Sequence, residues 1–191
     1  MRGLKLAVAL LTLVGASALG FWGTHQLIHN ASPANAHWAV RFAELEAMAF
    51  GVDLVAVGTV IGVAPGRVAL SDGGEDGIAY TNVTFALHTV LKGSRQDRTI
   101  VLEQTGGVLP DGSILSIDDG GPYERGERYL LFLNKQPDSS YYYLVHPQGR
   151  FLIKAGRLLA VAPRDRVASR LHKRTEAEAI AAILSAVGRN P

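Results

Sequence analysis

Asp53–Ala64 reads DLVAVGTVIGVA, and its pattern decides the fold class. Val55, Val57, Thr59, Ile61 and Val63 fall on one side of an extended chain, with Ala56, Gly58 and Gly62 on the other. A period of two is the period of a β-strand. Glycine inside a strand marks a bulge or a close backbone approach. Pro65-Gly66 is expected to end the strand.

C-terminal to it the same period returns. Ile78–Leu91 (IAYTNVTFALHTVL) sets Thr81, Val83, Phe85, Leu87 and Thr89 against Asn82, Thr84, Ala86 and His88. Its 14 residues far exceed the usual strand of about 5–6. Long, glycine-kinked strands suit a small barrel, where one strand bends to serve two faces. Shorter strands are expected over Thr99–Gln104, Ser113–Ile117, Arg128–Leu133, Tyr141–Val145, Arg150–Lys154 and Arg157–Val161. Ala155-Gly156 joins the last two as a two-residue hairpin. Loops rich in Gly, Asp and Pro occupy 71–77, 106–112 and 118–127. The strands do not alternate with helices, which argues against a parallel α/β sheet.

Helical periodicity brackets this β region. In His37–Phe50, Trp38, Phe42, Leu45 and Ala49 make one apolar stripe, and Gly51 follows as a helix stop. Near the C-terminus, Thr175 with Glu178 forms a capping box. Ile180, Ile183, Leu184 and Val187 are its expected stripe, ended by Gly188. This helix is expected either to cap the barrel or to hang from it.

Ahead of the body, MRGLK is a short positive leader, and Leu6–Thr24 is 19 residues without a charge. A positive start, an apolar run and small residues near a cleavage point describe an export signal. Cleavage is readable after Ala16-Ser17-Ala18 or after Ala34-Asn35-Ala36; the second is favoured because the first helix begins just beyond it. The rival is retention as a single-span anchor, since a span needs about 20 apolar residues and Trp22 stands where interfacial aromatics sit. Either way the body is expected outside the cytoplasm, in the cell envelope or extracellular, and any membrane contact runs through residues 6–24. The organisation is therefore 1–36 signal peptide or anchor with linker, 37–161 barrel with leading helix, and 162–191 basic linker with C-terminal helix.

Of 191 residues, 48% are hydrophobic and 19% charged, enough for a core. The net charge of +2 comes from Arg2 and Lys5; the remaining 17 basic residues balance 17 acidic ones. A neutral body has no electrostatic case for nucleic acid. The signs segregate nonetheless, with seven bases and one acid between Lys154 and Arg174. That strip either meets an acidic partner, anionic lipid or wall polymer, or is a solvated face near the chain's own acidic loops. There is no cysteine, which excludes a disulfide scaffold, a thiol nucleophile, Cys-based metal ligation and a lipobox.

The runs VDLVAVGTVIGV, YTNVTFALHTVLKG, ERGERYLLFLN and YYYLVHPQGRFLIKAGRL, spanning Val52 to Leu159, resemble a family of exported bacterial proteins of unassigned role. They also resemble the netrin-like module of tissue inhibitors of metalloproteinases. The resemblance implies a mainly β fold: a small closed or partly open OB-like β-barrel of five strands with one N-terminal and one C-terminal flanking α-helix. Those inhibitors chelate zinc through an N-terminal cysteine, which this chain lacks, so their mechanism does not carry over.

Chemistry is sparse. No G-x-S-x-G, H-E-x-x-H, G-x-G-x-x-G or Walker loop occurs. Histidine supplies one candidate: His25 and His29 lie four apart in the leader, and cleavage after Ala36 would expose His37 as an N-terminal copper ligand, with His88 or His146 closing the site. The competing reading leaves His88 and His146 singly on strand surfaces. Asp72, Glu75 and Asp76, like Asp118 and Asp119, offer oxygens to calcium but match no EF-hand and are ordinary turn residues. Tyr141-Tyr142-Tyr143 would expose aromatics alternately for sugar or peptide, or simply serve a strand. No catalytic, cofactor or metal residue is assigned. The expected function is a non-enzymatic binding or interaction module of the cell envelope, its partner an envelope protein or polymer; the alternative is a metal-dependent envelope enzyme using His37, His88 or His146.

Overall fold

The computed structural model describes residues 32–34, 40–70, 77–94, 96, 98–117 and 120–188. Its strands are β1 (Ser32–Ala34), β2 (Leu54–Leu70), β3 (Gly77–Lys92), β4 (Thr99–Thr105), β5 (Gly107–Val108), β6 (Ile114–Ile117), β7 (Arg128–Lys135), β8 (Tyr141–Leu144), β9 (Arg150–Lys154) and β10 (Arg157–Ala160). Helix α1 (Leu45–Gly51) precedes β2, and α2 (Glu176–Gly188) ends the chain. The export segment 6–24 and both readable cleavage points lie outside the described residues, apart from Ala34 in β1. No described helix is long and apolar enough to cross a membrane.

The fold is mainly β, with five strands in a ring. Antiparallel ladders run β7–β2–β3–β4, and β8 closes the ring by pairing parallel with β4 and antiparallel with β7. The free edge of β7 is shared: β9 takes Arg128–Leu131 and β8 takes Leu133–Lys135. The β9–β10 hairpin thus continues the sheet outside the ring, turning at Ala155 (φ 50°) and Gly156 (φ 71°). That turn was legible, because positive φ at both positions is the two-residue hairpin signature.

Two apolar cores share the wall. Inside the ring, Leu54, Ala56, Val60, Val83, Phe85, Leu102, Tyr129, Leu131 and Tyr142 pack together. Outside it, Val55, Val57, Leu130, Phe132 and Phe151 meet Met48 of α1 and Ile183 of α2. The first half of β2 is therefore buried on both faces, one set per core. At Gly58 an added Cβ would lie 2.9 Å from the Ala86 carbonyl oxygen. Only glycine lets β2 and β3 approach this closely there, and the register shifts at that point.

Three expectations change. First, β2 runs on through Pro65-Gly66 to Leu70. Past Thr59 it has left β7 and pairs only with β3, and an edge tolerates the missing N–H of proline. Ile61 and Val63 accordingly point to solvent rather than to a core. Second, the leading helix begins at Leu45, not near His37. Val40–Glu44 is non-helical, because the Phe42 backbone is claimed from elsewhere in the chain, and Gly51 is the last helical residue rather than a stop beyond it. Third, α2 hides Ala179, Ile183 and Ala186, while Leu184 is open. The helix lies on α1 and the outer core; it does not hang free.

Candidate functional site

Two of the four buried polar side chains among the described residues, Gln148 and Asp165, meet beside the segment that leads into α1. Gln148, in a 3₁₀ turn (Pro147–Gly149) after β8, is fully buried. Its Oε1 accepts from the Phe42 N–H at 2.7 Å, and its Nε2 donates to the Phe42 carbonyl at 3.0 Å. One amide thus imitates a neighbouring strand and holds a residue 106 positions away. The same Nε2 donates to Asp165 Oδ1 at 3.1 Å.

Asp165 completes the latch. Oδ1 also accepts from the Val167 and Ala168 N–H groups, and Oδ2 accepts from Arg41 Nε and Nη2. Burial works to raise this carboxyl's pKa, but the Ala168 and Val167 N–H groups and the Arg41 guanidinium outweigh it, so the net shift is downward. His146 caps the 3₁₀ turn, its Nδ1 accepting from the Gln148 N–H at 3.0 Å. Burial pushes its pKa down, Asp165 opposing and Arg41 assisting. Beside this latch a shallow cleft of about 630 Å³ is lined by Arg41, His146, Ala162, Pro163, Arg164 and Asp165.

A second cluster plugs the ring. The Arg150 guanidinium lies 3.6 Å from the Tyr123 ring centroid and 5.2 Å from that of Tyr129. It donates to the Gly121 and Pro122 carbonyls at 2.7 and 3.3 Å. Phe85, Tyr123 and Tyr129 meet edge to face, with centroids 4.9–6.2 Å apart. The Tyr129 hydroxyl donates to Glu127, and burial, with that bond, pushes its pKa up to about 12. At the rim Glu103 accepts from Arg67 Nε and Nη2 at 2.8 and 3.0 Å and from Gln136 at 2.7 Å. The Arg67 bonds lead in holding its pKa low.

The third feature is apolar and exposed. Of nine large apolar side chains left open to solvent among the described residues, Ile61, Val63, Leu70, Ile78 and Val108 lie on the outer half of the β2–β3 ribbon or on β5 beside it. Gly107 of β5 packs on Tyr80 and Ala79 of β3, and Gly77 sits among Leu70, Val68 and Leu109.

Of the histidines offered as metal ligands, the described ones are His88 and His146, each with its own partner. His37, like His25 and His29, lies outside the described residues. His88 Nε2 is 2.7 Å from Thr59 Oγ1 on the ring surface. His146 belongs to the latch, not to a strand surface as expected. Among the described residues no group of three or more His, Cys, Asp or Glu could hold a metal. Asp72, Glu75, Asp76, Asp118 and Asp119 also lie outside them. Tyr142 points into the ring and Tyr143 outward, as alternation requires. The basic stretch is stitched to α1: Arg166 and Arg170 pair with Glu44, and Arg170 with Glu46. Val167, Ala168 and Leu171 within it are fully buried.

The roles of Gln148, Arg150 and Asp165 were not legible in the sequence, because the side-chain partners that join them to other segments are 17 to 124 positions distant; the local bonds of Asp165 reach only Val167 and Ala168. His172, whose Nδ1 accepts from the Ala160 N–H at 3.1 Å, was missed as well. Compared with protein-family models and with curated proteins, the chain matches none.

Proposed function

We propose that this chain is an exported, non-enzymatic module of the OB-like, netrin-like type that binds an envelope protein or polymer at the cell envelope. The observation that carries the proposal is the gathering of exposed apolar side chains on one ribbon. Val63 and Leu70 share one face of the ribbon and Ile78 lies on the other; apolar side chains that a fold leaves open together on one element mark an interaction site. The buried polar groups support the same reading. Glu103, Gln148 and Asp165 spend their hydrogen bonds on holding segments together, and the ring is filled by packed aliphatic and aromatic side chains. The uncharged leader run supports export.

The absence of native cysteine makes the test clean. Ile78→Cys, Val108→Cys and, on the far layer, Leu184→Cys are each introduced into the full chain in its native cell. A membrane-impermeant maleimide should label all three in intact cells. A cysteine-directed photocrosslinker should then give a discrete adduct from Ile78→Cys and Val108→Cys but not from Leu184→Cys. Labelling only after lysis overturns export. Adducts equally from all three positions, or from none, overturn the ribbon as the binding surface.

A further inference from the structure

We propose that the cleft beside the latch is a binding site for an oxyanion, a carboxylate or phosphate group, with Arg164 and Arg41 as its cations. Arg164 stands on a tight turn in which the Asp165 N–H donates to the Ala162 carbonyl at 3.0 Å. Pro163 fixes the backbone one position earlier. Asp165 is itself pinned by five hydrogen bonds. The root of Arg164 is therefore preorganised, which lowers the entropy lost on binding.

The neighbouring charges are accounted for. Arg166 and Arg170 are matched by Glu44 and Glu46. Both Asp165 oxygens are occupied, Oδ1 by three donors and Oδ2 by Arg41. No ion pair or hydrogen bond engages Arg164 among the described residues, yet it lines the cleft together with Arg41, His146, Ala162, Pro163 and Asp165. Arg41 uses two of its five N–H donors on Asp165. The arrangement leaves guanidinium donors around one depression from Arg41, held by Asp165, and from Arg164, whose backbone the turn holds, and paired charge-assisted donors are how oxyanions are held.

The test is a two-dimensional amide NMR titration of the full chain in nonionic detergent, with inorganic phosphate in one arm and citrate in the other. Saturable shifts confined to Arg41 and Ala162–Ala168 are expected, with a dissociation constant on the order of a millimolar. The tighter arm identifies the oxyanion. Arg164→Gln should weaken binding about tenfold, the loss of one charged hydrogen bond. Arg98→Gln, the same charge change on the β3–β4 connection, should leave it within about twofold. Shifts without saturation, or equal weakening by the two substitutions, would overturn the site. Neither result bears on the ribbon, whose test is separate.

Discussion

At the scale of the residue, the latch decides how the N-terminal strap is held. Gln148 is fully buried, and its two amide groups serve the N–H and C=O of Phe42. Gln148→Leu keeps comparable volume but orphans both backbone groups, and an unsatisfied buried donor or acceptor costs about 1–3 kcal/mol. The expected loss is about 2–4 kcal/mol, read by urea unfolding with an unchanged slope. A loss under about 0.5 kcal/mol would mean that water reaches Phe42 and that the amide clamp is dispensable. Asp165 and His146 contribute to the pH response. The Asp165 carboxyl has its pKa lowered in the folded state. Its contribution is thus present above the unfolded carboxylate range and drains away as pH falls through the folded value. His146 is also lowered, so protonation favours the unfolded chain and stability declines as pH drops below the unfolded histidine value. Both act in the same direction: acid destabilises. In Asp165→Asn the Oδ1 acceptor is retained and the charge lost. Stability at neutral pH should fall, and the acid limb of the stability profile should flatten. A parallel profile at every pH would sink this assignment.

At the scale of the element, two glycines in β2 separate close approach from permissiveness. Gly58→Ala drives a Cβ to 2.9 Å from the Ala86 oxygen and 3.1 Å from Leu87 Cδ2. Overpacking of this kind costs about 1–3 kcal/mol. At Gly62 the nearest atoms stand at 3.6 Å, so Gly62→Ala should change stability by less than about 0.5 kcal/mol. Thermal unfolding of the pair decides the matter, and equal effects would dissolve the distinction. In α2, Thr175→Ala removes one half of a reciprocal cap, the Glu178 N–H to Thr175 Oγ1 and Thr175 N–H to Glu178 Oε2 bonds of 3.3 and 2.9 Å. A loss of about 0.5–2 kcal/mol is expected. These elements also show what could be read from residues alone. The α2 cap and the Ala155-Gly156 turn were legible because donor, acceptor and backbone constraint sit within four positions. The start of α1 was not, since its apolar stripe from Trp38 is overridden by a glutamine 106 positions beyond Phe42. The second half of β2 alternates like the first, but alternation states only which side a residue faces, not whether anything covers that side. The cleft was illegible for the same reason, because Arg41 and Asp165 are 124 positions apart.

At the scale of the whole molecule, the two cores are faces of one wall. Val55 and Val57 project into the helical layer, while Leu54 and Ala56 of the same strand project into the ring. Neither layer can lose β2 without exposing the other. The pairing that closes the ring is also non-local, with Leu54 against Leu133 and Leu102 against Tyr142, so no short segment holds a complete core. The expected consequence is a single cooperative transition. Two probes report on the two layers separately. The far-ultraviolet helical signal follows α1 and α2 on the outer core. The near-ultraviolet tyrosine band follows Tyr123, Tyr129 and Tyr142, which are buried in the ring. Val57→Ala trims the outer core and Val83→Ala the inner one, both from fully buried positions, at about 1–3 kcal/mol each. A domain of this length shifts its Tm by about 2–4 °C per kcal/mol. Each substitution should therefore lower the midpoint of both signals by the same amount, wherever the methyl groups were removed. If Val57→Ala melts the helical signal early while the tyrosine band holds, the ring stands alone and the helical layer is an appendage, and the shared wall has no energetic meaning.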